Sequence, residues 1–173
     1  MTWYHAGMHV VLVGPMAVGK STVGRLLAER LGRPLRDSDD DLYAERGVTG
    51  AEVAEREGVD ALHHWEASHL LRALAGDRPA VIAAAASVVD DPACRAALGT
   101  AFVVWLRAPV EQLVDRLGDD DHRRRLGEVS AGDLVRARAP RYAAVADAVV
   151  DASGRVVDVA ARVLASLPRA FTT

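Results

Sequence analysis

The sequence predicts an α/β fold, a three-layer sandwich in which a five-stranded parallel sheet carries helices on both faces. Short apolar runs rich in β-branched residues alternate along the chain with segments of helical periodicity. Such alternation is typical of parallel sheets built from strand–helix–strand units. The first apolar run also leads directly into a glycine-containing loop and then a helical pattern. In folds of this class, ligands bind at the carboxyl ends of the strands.

The elements follow from apolar runs, helical periodicity and capping residues. Gly32 stands where a helix C-cap is expected, and Pro109 suits the first position of a helix. We expect strands at His9–Val13, Leu35–Asp39, Ala80–Ala85, Ala101–Leu106 and Ala148–Asp151. We expect helices at Lys20–Leu31, Asp40–Arg46, Ala51–Ala75 with a break around Gly58, Asp91–Leu98, from Pro109 onward, Ser130–Ala146 and Val156–Leu167.

Length and composition indicate one domain over residues 1–173. The net charge of −3 implies no general attraction to nucleic acid or membranes. Cys94 is the single cysteine, so an internal disulfide is excluded and a reducing compartment is expected. No apolar run reaches membrane-spanning length, and no basic region followed by a long apolar core stands at the N-terminus. We therefore expect a cytoplasmic protein.

A phosphate-binding loop of the form G-x-x-x-x-G-K-[ST] joins the first strand to the first helix. Its backbone N–H groups and the helix N-terminus favour phosphate oxygens. Lys20 is the only lysine among 21 basic residues, and its compact ammonium suits the β- and γ-phosphates. The Ser21 hydroxyl is a candidate Mg²⁺ ligand. The motif predicts a P-loop NTPase fold that binds nucleotide through Gly14, Pro15, Met16, Ala17, Val18, Gly19, Lys20, Ser21 and Thr22.

Two acids, Asp37 and Asp39, end the predicted second strand, at the sheet edge where the phosphate loop opens. On an extended segment, residues two apart point to the same side. One carboxylate would then hold Mg²⁺ through water, and the other would orient an acceptor hydroxyl or take its proton. The alternative is a solvated acidic turn, since Asp40 and Asp41 continue the run.

Two further polar stretches have both a functional and a structural interpretation. Residues 118–128 carry Arg123-Arg124-Arg125, which would suit either a mobile lid that closes over ATP or a solvated loop with internal ion pairs. His63 and His64 are neighbours on a helix and point about 100° apart, so they do not form a natural metal pair. They are either surface or half-buried histidines, or one of them contacts substrate.

Taken together, these motifs resemble the shikimate kinase family of P-loop kinases over most of the chain, from about Val10 to Leu167. The resemblance implies ATP as phosphoryl donor, Mg²⁺, a lid at about 118–128 and an acceptor-binding helical region at about 40–75. It also implies roles for single residues. Asp37 would support Mg²⁺, Asp39 would contact the acceptor, Arg116 would stack on adenine, Arg123 would be the lid arginine, Arg138 would contact an acceptor carboxylate, and Arg155 would lie in the adenine loop. The catalytic set so implied is Lys20, Asp39 and Arg123.

The sequence departs from the family pattern around the acceptor. The arginine of the family's Phe-Arg-x-x-Glu segment is replaced by His63, ahead of Glu66, and the Gly-Gly-Gly turn after the third strand is replaced by Ala85-Ala86-Ser87. The lid reads Arg123-Arg124 in place of Arg-Pro and is a few residues shorter. His63 would replace the missing arginine only in part, and only when protonated. The candidate acceptor-binding residues are Asp39, His63, Glu66, Ala86 and Arg138.

We therefore expect a small-molecule kinase that phosphorylates a hydroxyl of shikimate or of a related polyol or hydroxy acid, acting as a monomer or weak dimer. Two alternatives stay open on the sequence alone. One is a nucleotide-binding regulatory protein that has lost phosphoryl transfer and signals through the lid to a protein partner. The other is a nucleoside or nucleotide kinase of the same superfamily.

Overall fold

The computed structural model describes residues 7–117 and 130–171. Its five strands form one parallel sheet, which confirms the predicted fold class. The spatial order is β2-β3-β1-β4-β5, so the strand that precedes the phosphate loop lies at the centre. The strands are β1 (Val10–Val13), β2 (Leu35–Asp37), β3 (Val81–Ala83), β4 (Phe102–Arg107) and β5 (Ala148–Asp151).

The helices of the described residues agree with most of the predicted ones. Gly58, with φ +97°, separates α3 from α4, which confirms the expected break. The lid predicted at 118–128, with Arg123, lies outside the described residues. The helices are α1 (Lys20–Leu31), α2 (Ser38–Arg46), α3 (Gly50–Glu57), α4 (Val59–Leu74), α5 (Pro92–Leu98), α6 (Val110–Leu117), α7 (Ala131–Val145) and α8 (Val156–Ser166), with 3₁₀ turns at Ala86–Asp90 and Arg169–Phe171.

The prediction that Asp37, Ser38 and Asp39 continue the second strand is wrong. The strand ends at Asp37, whose side chain accepts hydrogen bonds from the backbone N–H groups of Asp39 and Asp40. This capping begins α2 at Ser38, because a carboxylate at the N-cap satisfies N–H groups that have no partner within the helix. Asp37 and Asp39 are therefore not two side chains on one face of a strand.

The third strand is also shorter than predicted, ending at Ala83 rather than Ala85. Ala85 is still extended, but a 3₁₀ turn begins at Ala86. The alanine-rich run alone does not indicate this turn, since Ala is tolerated in every conformation with negative φ.

Two hydrophobic cores cover the two faces of the sheet. Alternate residues of β1 serve each of them, since successive side chains of a strand point to opposite faces. Val10 and Leu12 pack with α1 and α8, whereas Val11 and Val13 pack with α4, α5 and α7. All four of these side chains are fully buried, which fixes the strand that leads into the phosphate loop.

A third, small core joins α2, α3 and α4 beside the sheet, through Leu42, Val53 and Leu62. Nearby, His69 is fully buried in α4, with its Nε2 2.7 Å from Asp41 Oδ2 and its ring stacked on Trp65. These contacts hold together α2, α3 and α4, the helical region that was predicted to hold the acceptor. Within the described residues, every helix is too short or too polar to cross a membrane.

Candidate active site

The carboxyl ends of the parallel strands bring the predicted site residues to one edge of the sheet. The phosphate loop follows β1, Asp37 ends β2, and the turn at Ala86 follows β3. Because the strands are parallel, these three segments lie side by side. Asp37, Asp39 and Glu66 are all close enough for their charges to act on Lys20.

The phosphate loop requires glycine at Gly14 for steric reasons. Its φ is +149°, and a Cβ at this position would lie 2.6 Å from the carbonyl oxygen of Leu106. Gly19 also has a positive φ, at +102°. Ala17 has φ +62°, a left-handed conformation that is strained for a residue with a Cβ. This strain lies in the loop whose backbone is predicted to bind phosphate.

Lys20, the first residue of α1, is turned towards its own loop. Its Nζ donates hydrogen bonds of 2.8 Å to the carbonyl oxygens of Gly14 and Pro15. Burial lowers the pKa of Lys20 to about 8, against the opposing effect of Asp39, Asp37 and Glu66. The ammonium group is thus still largely charged at neutral pH, and it has little competing solvation.

Asp37 has one oxygen in use and one without a partner. Oδ1 accepts from the backbone N–H groups of Asp39 at 3.0 Å and Asp40 at 3.2 Å. Oδ2 is buried and has no hydrogen-bond partner among the described residues. A buried carboxylate oxygen is costly to leave unpaired, and it suits a hydrated cation.

The donor set fits Mg²⁺ bound mainly by phosphate and water. Mg²⁺ in nucleotide sites takes one or two protein oxygens and completes its octahedron with waters and phosphate oxygens. Asp37 Oδ2 and the hydroxyl of Ser21, in the first turn of α1, are such oxygens. The described part of the chain contains no group of three His, Cys, Asp or Glu that would hold a metal by itself.

Among the residues predicted to bind the acceptor, Glu66 of α4 accepts a hydrogen bond from the hydroxyl of Ser87. Burial raises the pKa of Glu66 to about 7, and the neighbouring Asp39 acts in the same direction. The Ser87 hydroxyl, Arg138 and Lys20 oppose the rise. Ser87 replaces the last glycine of the family's turn, and the carbonyl oxygen of Ala86 accepts a hydrogen bond of 2.7 Å from Tyr142.

Arg138 of α7 is buried and forms an ion pair within the protein. Its Nε and Nη2 lie 2.9 and 2.8 Å from Asp90 Oδ2. Arg141, one turn along the helix, donates to Asp90 Oδ1 at 2.6 Å. Asp90 therefore lies between two guanidinium groups.

His63, which stands at the position of the family arginine, carries little positive charge at neutral pH. Burial lowers its pKa, and the nearby charge of Arg138 lowers it further, whereas Asp90 and Asp60 act in the opposite direction. Protonation of His63 would place a second cation beside Arg138. The structure therefore gives no support to the idea that a charged His63 replaces the missing arginine.

Of the arginines predicted to contact the nucleotide, one lies beside the phosphate loop and another forms an exposed ion pair. Arg116, near the end of α6, donates to the carbonyl oxygen of Ala17 at 3.4 Å, so it lies beside the phosphate loop. Arg155 follows β5, where it caps α8, and its exposed side chain pairs with Asp158. Arg123 lies outside the described residues.

Comparisons with known proteins agree with this geometry. The family model described as shikimate kinase matches residues 16–168. A shikimate kinase of Symbiobacterium thermophilum is 39% identical over 92% of this chain and 96% of its own length. A shikimate kinase of Streptomyces coelicolor is 41% identical over 84% of this chain and 86% of its own. The chain belongs to the shikimate kinase family.

Solved structures agree with this family membership. Shikimate kinase from Acinetobacter baumannii, in complex with shikimate, has a TM-score of 0.81 and 31% identity, over 91% of this chain and 90% of that one. The chain is accordingly an enzyme, a P-loop kinase of the shikimate kinase type with ATP as its phosphoryl donor. The resemblance inferred from the sequence motifs is thereby confirmed.

Sequence reasoning missed two residues that bind the predicted acceptor-binding residues of this shikimate kinase family member: Asp90, which pairs with Arg138, and Ser87, which donates to Glu66. Asp90 precedes Asp91 and Pro92, a sequence typical of a helix start, but the residue that caps α5 is Asp91 and not Asp90. Ser87 stands in a turn whose conformation the sequence does not indicate. A second acid directly before a helix cap was the one available signal, and it does not identify a partner 48 residues away.

Proposed function

We propose that this chain transfers the γ-phosphoryl group of ATP, with Mg²⁺, to a hydroxyl group of a small polyhydroxylated acceptor, namely shikimate or a related polyol or hydroxy acid. The observation that carries the proposal is the unpartnered, buried Asp37 Oδ2 in electrostatic contact with Lys20 at the phosphate loop. A cation site and an ammonium group side by side suit a triphosphate.

The phosphate loop supplies the donor side. Backbone N–H groups of residues 14–22 would bind phosphate oxygens, and the N-terminus of α1 favours their negative charge. Lys20 would exchange its bonds to the Gly14 and Pro15 carbonyl oxygens for bonds to phosphate. Asp37 and Ser21 would hold Mg²⁺, which neutralises charge on the β- and γ-phosphates when bound.

The acceptor side would be formed by Asp39 and Glu66. Asp39 lies in the first turn of α2 and acts electrostatically on both Lys20 and Glu66. We infer that Asp39 orients the attacking hydroxyl and accepts its proton, because a carboxylate beside the attacking hydroxyl suits this task. Glu66, held by Ser87, would accept a hydrogen bond from a second hydroxyl of the acceptor.

The remaining assignments are proposals too. We infer that Arg116 contacts the nucleotide base, that Arg155 lies near it, and that Arg123 belongs to a lid over the phosphates. His63, Ala86 and Arg138 would line the acceptor pocket. We further propose a cytoplasmic monomer or weak dimer that acts on ATP and a small molecule and has no nucleic-acid or membrane partner.

The test is ADP release in the presence of ATP, Mg²⁺ and a panel of hydroxylated acceptors. Lys20→Ala should lower kcat/KM by at least about 100-fold, since one lost donor to a developing negative charge has that effect. Arg30→Ala, at the opposite end of the same helix, is the matched control and should stay near the wild-type value. Nucleotide binding without transfer to any acceptor would instead favour a regulatory protein, and transfer only to a nucleotide would favour a nucleotide kinase.

A further inference from the structure

Asp90 uses both carboxylate oxygens to bind the two arginines at the acceptor pocket. Oδ2 accepts from Nε and Nη2 of Arg138, and Oδ1 accepts from Arg141. Hydrogen bonds between carboxylate and guanidinium groups are among the strongest in proteins, and these three are short, at 2.6–2.9 Å. Arg138 is only 8% exposed, so little solvent competes for its guanidinium.

The segment that carries Asp90 is itself fixed. Arg95 Nη1 donates to the carbonyl oxygens of Val89 and Asp90 at 2.7 and 3.0 Å. Val88 and Val89 are buried in the core beneath the 3₁₀ turn. Partial burial opposes ionisation of Asp90, but Arg138 and Arg141 outweigh it and hold its pKa below the ordinary value. Asp90 is therefore a permanent, well-positioned anion.

This ion pair lies at the acceptor pocket rather than elsewhere on the surface. The charge of Arg138 acts on Lys20, on Glu66 and on His63, so it faces the same space as these side chains. The ammonium group of Lys20 donates its hydrogen bonds to the phosphate loop, and the lowered pKa of His63 leaves its imidazole mostly uncharged at neutral pH. Among the described residues, the side chains that would face an acceptor thus include two carboxyl groups, Glu66 and Asp39, and an arginine whose charge is partly offset by Asp90.

We propose that the acceptor is a neutral polyol, and that Asp90 takes up the arginine contacts that a carboxylate on the acceptor would otherwise make. This inference rests on the proposed function and narrows its substrate class. Hydroxyl groups of a polyol donate hydrogen bonds to Glu66 and Asp39, whose carboxyl oxygens accept hydrogen bonds in either protonation state. An acceptor carboxylate would meet an Arg138 whose Nε and Nη2 are already bound to Asp90. It would also lie close to the negative charges of Asp90 and Asp39, so weaker attraction and like-charge repulsion both oppose its binding.

The experiment compares matched acceptors that differ only in the carboxylate. Three pairs serve: shikimate and its hydroxymethyl analogue, gluconate and glucitol, and glucuronate and glucose. With ATP and Mg²⁺, at least one neutral member should be phosphorylated with a kcat/KM at least 10-fold above that of its acid. The same order should appear in dissociation constants measured by calorimetry with ADP and Mg²⁺ present.

Asp90→Asn tests the assigned cause of this preference. The amide removes the negative charge but still offers an oxygen to Arg138, so the acid member should gain at least 10-fold relative to its neutral partner. Asp133→Asn, which changes an exposed ion pair at the start of the same helix α7, is the control and should leave the ratio unchanged.

Each outcome decides one question. A wild-type preference for the acid member of any pair that is phosphorylated would overturn the inference and leave the proposed function intact. A neutral preference that Asp90→Asn does not weaken, in a variant shown by circular dichroism to be folded, would also overturn it. Transfer to no member of any pair would count against the proposed function itself, and the inference would fall with it.

Discussion

Replacing Glu66 by Gln removes a buried carboxyl group that stays protonated in the folded chain at pH values where an exposed glutamate is ionised. Burial raises the pKa of Glu66 from 4.5 to about 7. At pH 4.5 and below, the group holds its proton in both the folded and the unfolded chain. Between pH 4.5 and 7 the unfolded chain loses this proton first, so the free energy of unfolding falls as the pH rises. Above pH 7 the group is ionised in both states and the loss is complete.

The size of the effect follows from the shift. A difference of about 2.5 pH units at 1.36 kcal/mol each gives roughly 3 kcal/mol. Glu66→Gln carries no such proton, so the variant should gain about 3 kcal/mol relative to the wild type between pH 4.5 and 8. Urea unfolding followed by circular dichroism at several pH values measures this difference. Other titrating groups contribute equally to the variant and the wild type, so their effects cancel when the two free energies of unfolding are subtracted.

The control is Glu55→Gln, which changes an exposed carboxyl of α3 and should show a flat difference across the same range. A difference between wild type and Glu66→Gln that stays constant with pH would show that Glu66 ionises normally. A difference of opposite sign would mean that Lys20 and Arg138 stabilise the ionised form more than burial opposes it. Either result would refute the assignment of Glu66 as a buried carboxyl group that holds its proton up to about pH 7.

Two further substitutions test the packing that positions the site. Gly14→Ala should lower the free energy of unfolding by about 2 kcal/mol more than Gly47→Ala, because its Cβ meets the Leu106 carbonyl oxygen whereas a Cβ on Gly47 meets nothing within 4 Å. His69→Ala should lower it by about 3 kcal/mol, since it leaves a cavity and removes a buried contact to a carboxylate, whereas His64→Ala, on the exposed face of the same helix, should change it little. Urea unfolding measures both, and equal losses within either pair would contradict the reasoning.

The sheet and the phosphate loop were predictable because their physical signals are local. Apolar β-branched runs predict buried strands wherever they occur, and the glycine spacing of the loop lies within nine residues. Helix α1 was predicted with its observed bounds, Lys20–Leu31, because its start and its Gly32 cap are both written in the sequence. Helix breaks such as the one at Gly58 are likewise set by single residues.

The conformation of Asp37 and Asp39 was not predictable in the same way. An acidic run after a short strand suits either a longer strand or a helix N-terminus, since aspartate both caps helices and ends strands. The structure selects the cap, which takes one oxygen of Asp37 for backbone N–H groups and leaves the other without a partner among the described residues. The functional prediction for Asp37 thus depends on an unpaired oxygen at a helix cap rather than on two carboxylates along one face of a strand.

The acceptor side depends on pairs of residues that are far apart in sequence. Arg138 alone resembles a carboxylate-binding residue, and the sequence read in order gives no sign that Asp90 holds it. Likewise, Glu66 and Ser87 become partners only through the packing of α4 against the turn after β3. Position 63 is a histidine where the family has an arginine, and position 90 is an aspartate paired with Arg138. Both differences lower the net positive charge that an acceptor would meet in this pocket. Two such changes in one pocket are more consistent with a shift towards a neutral acceptor than with the decay of an anionic site, since decay would leave a buried arginine unpaired, at a cost of several kcal/mol.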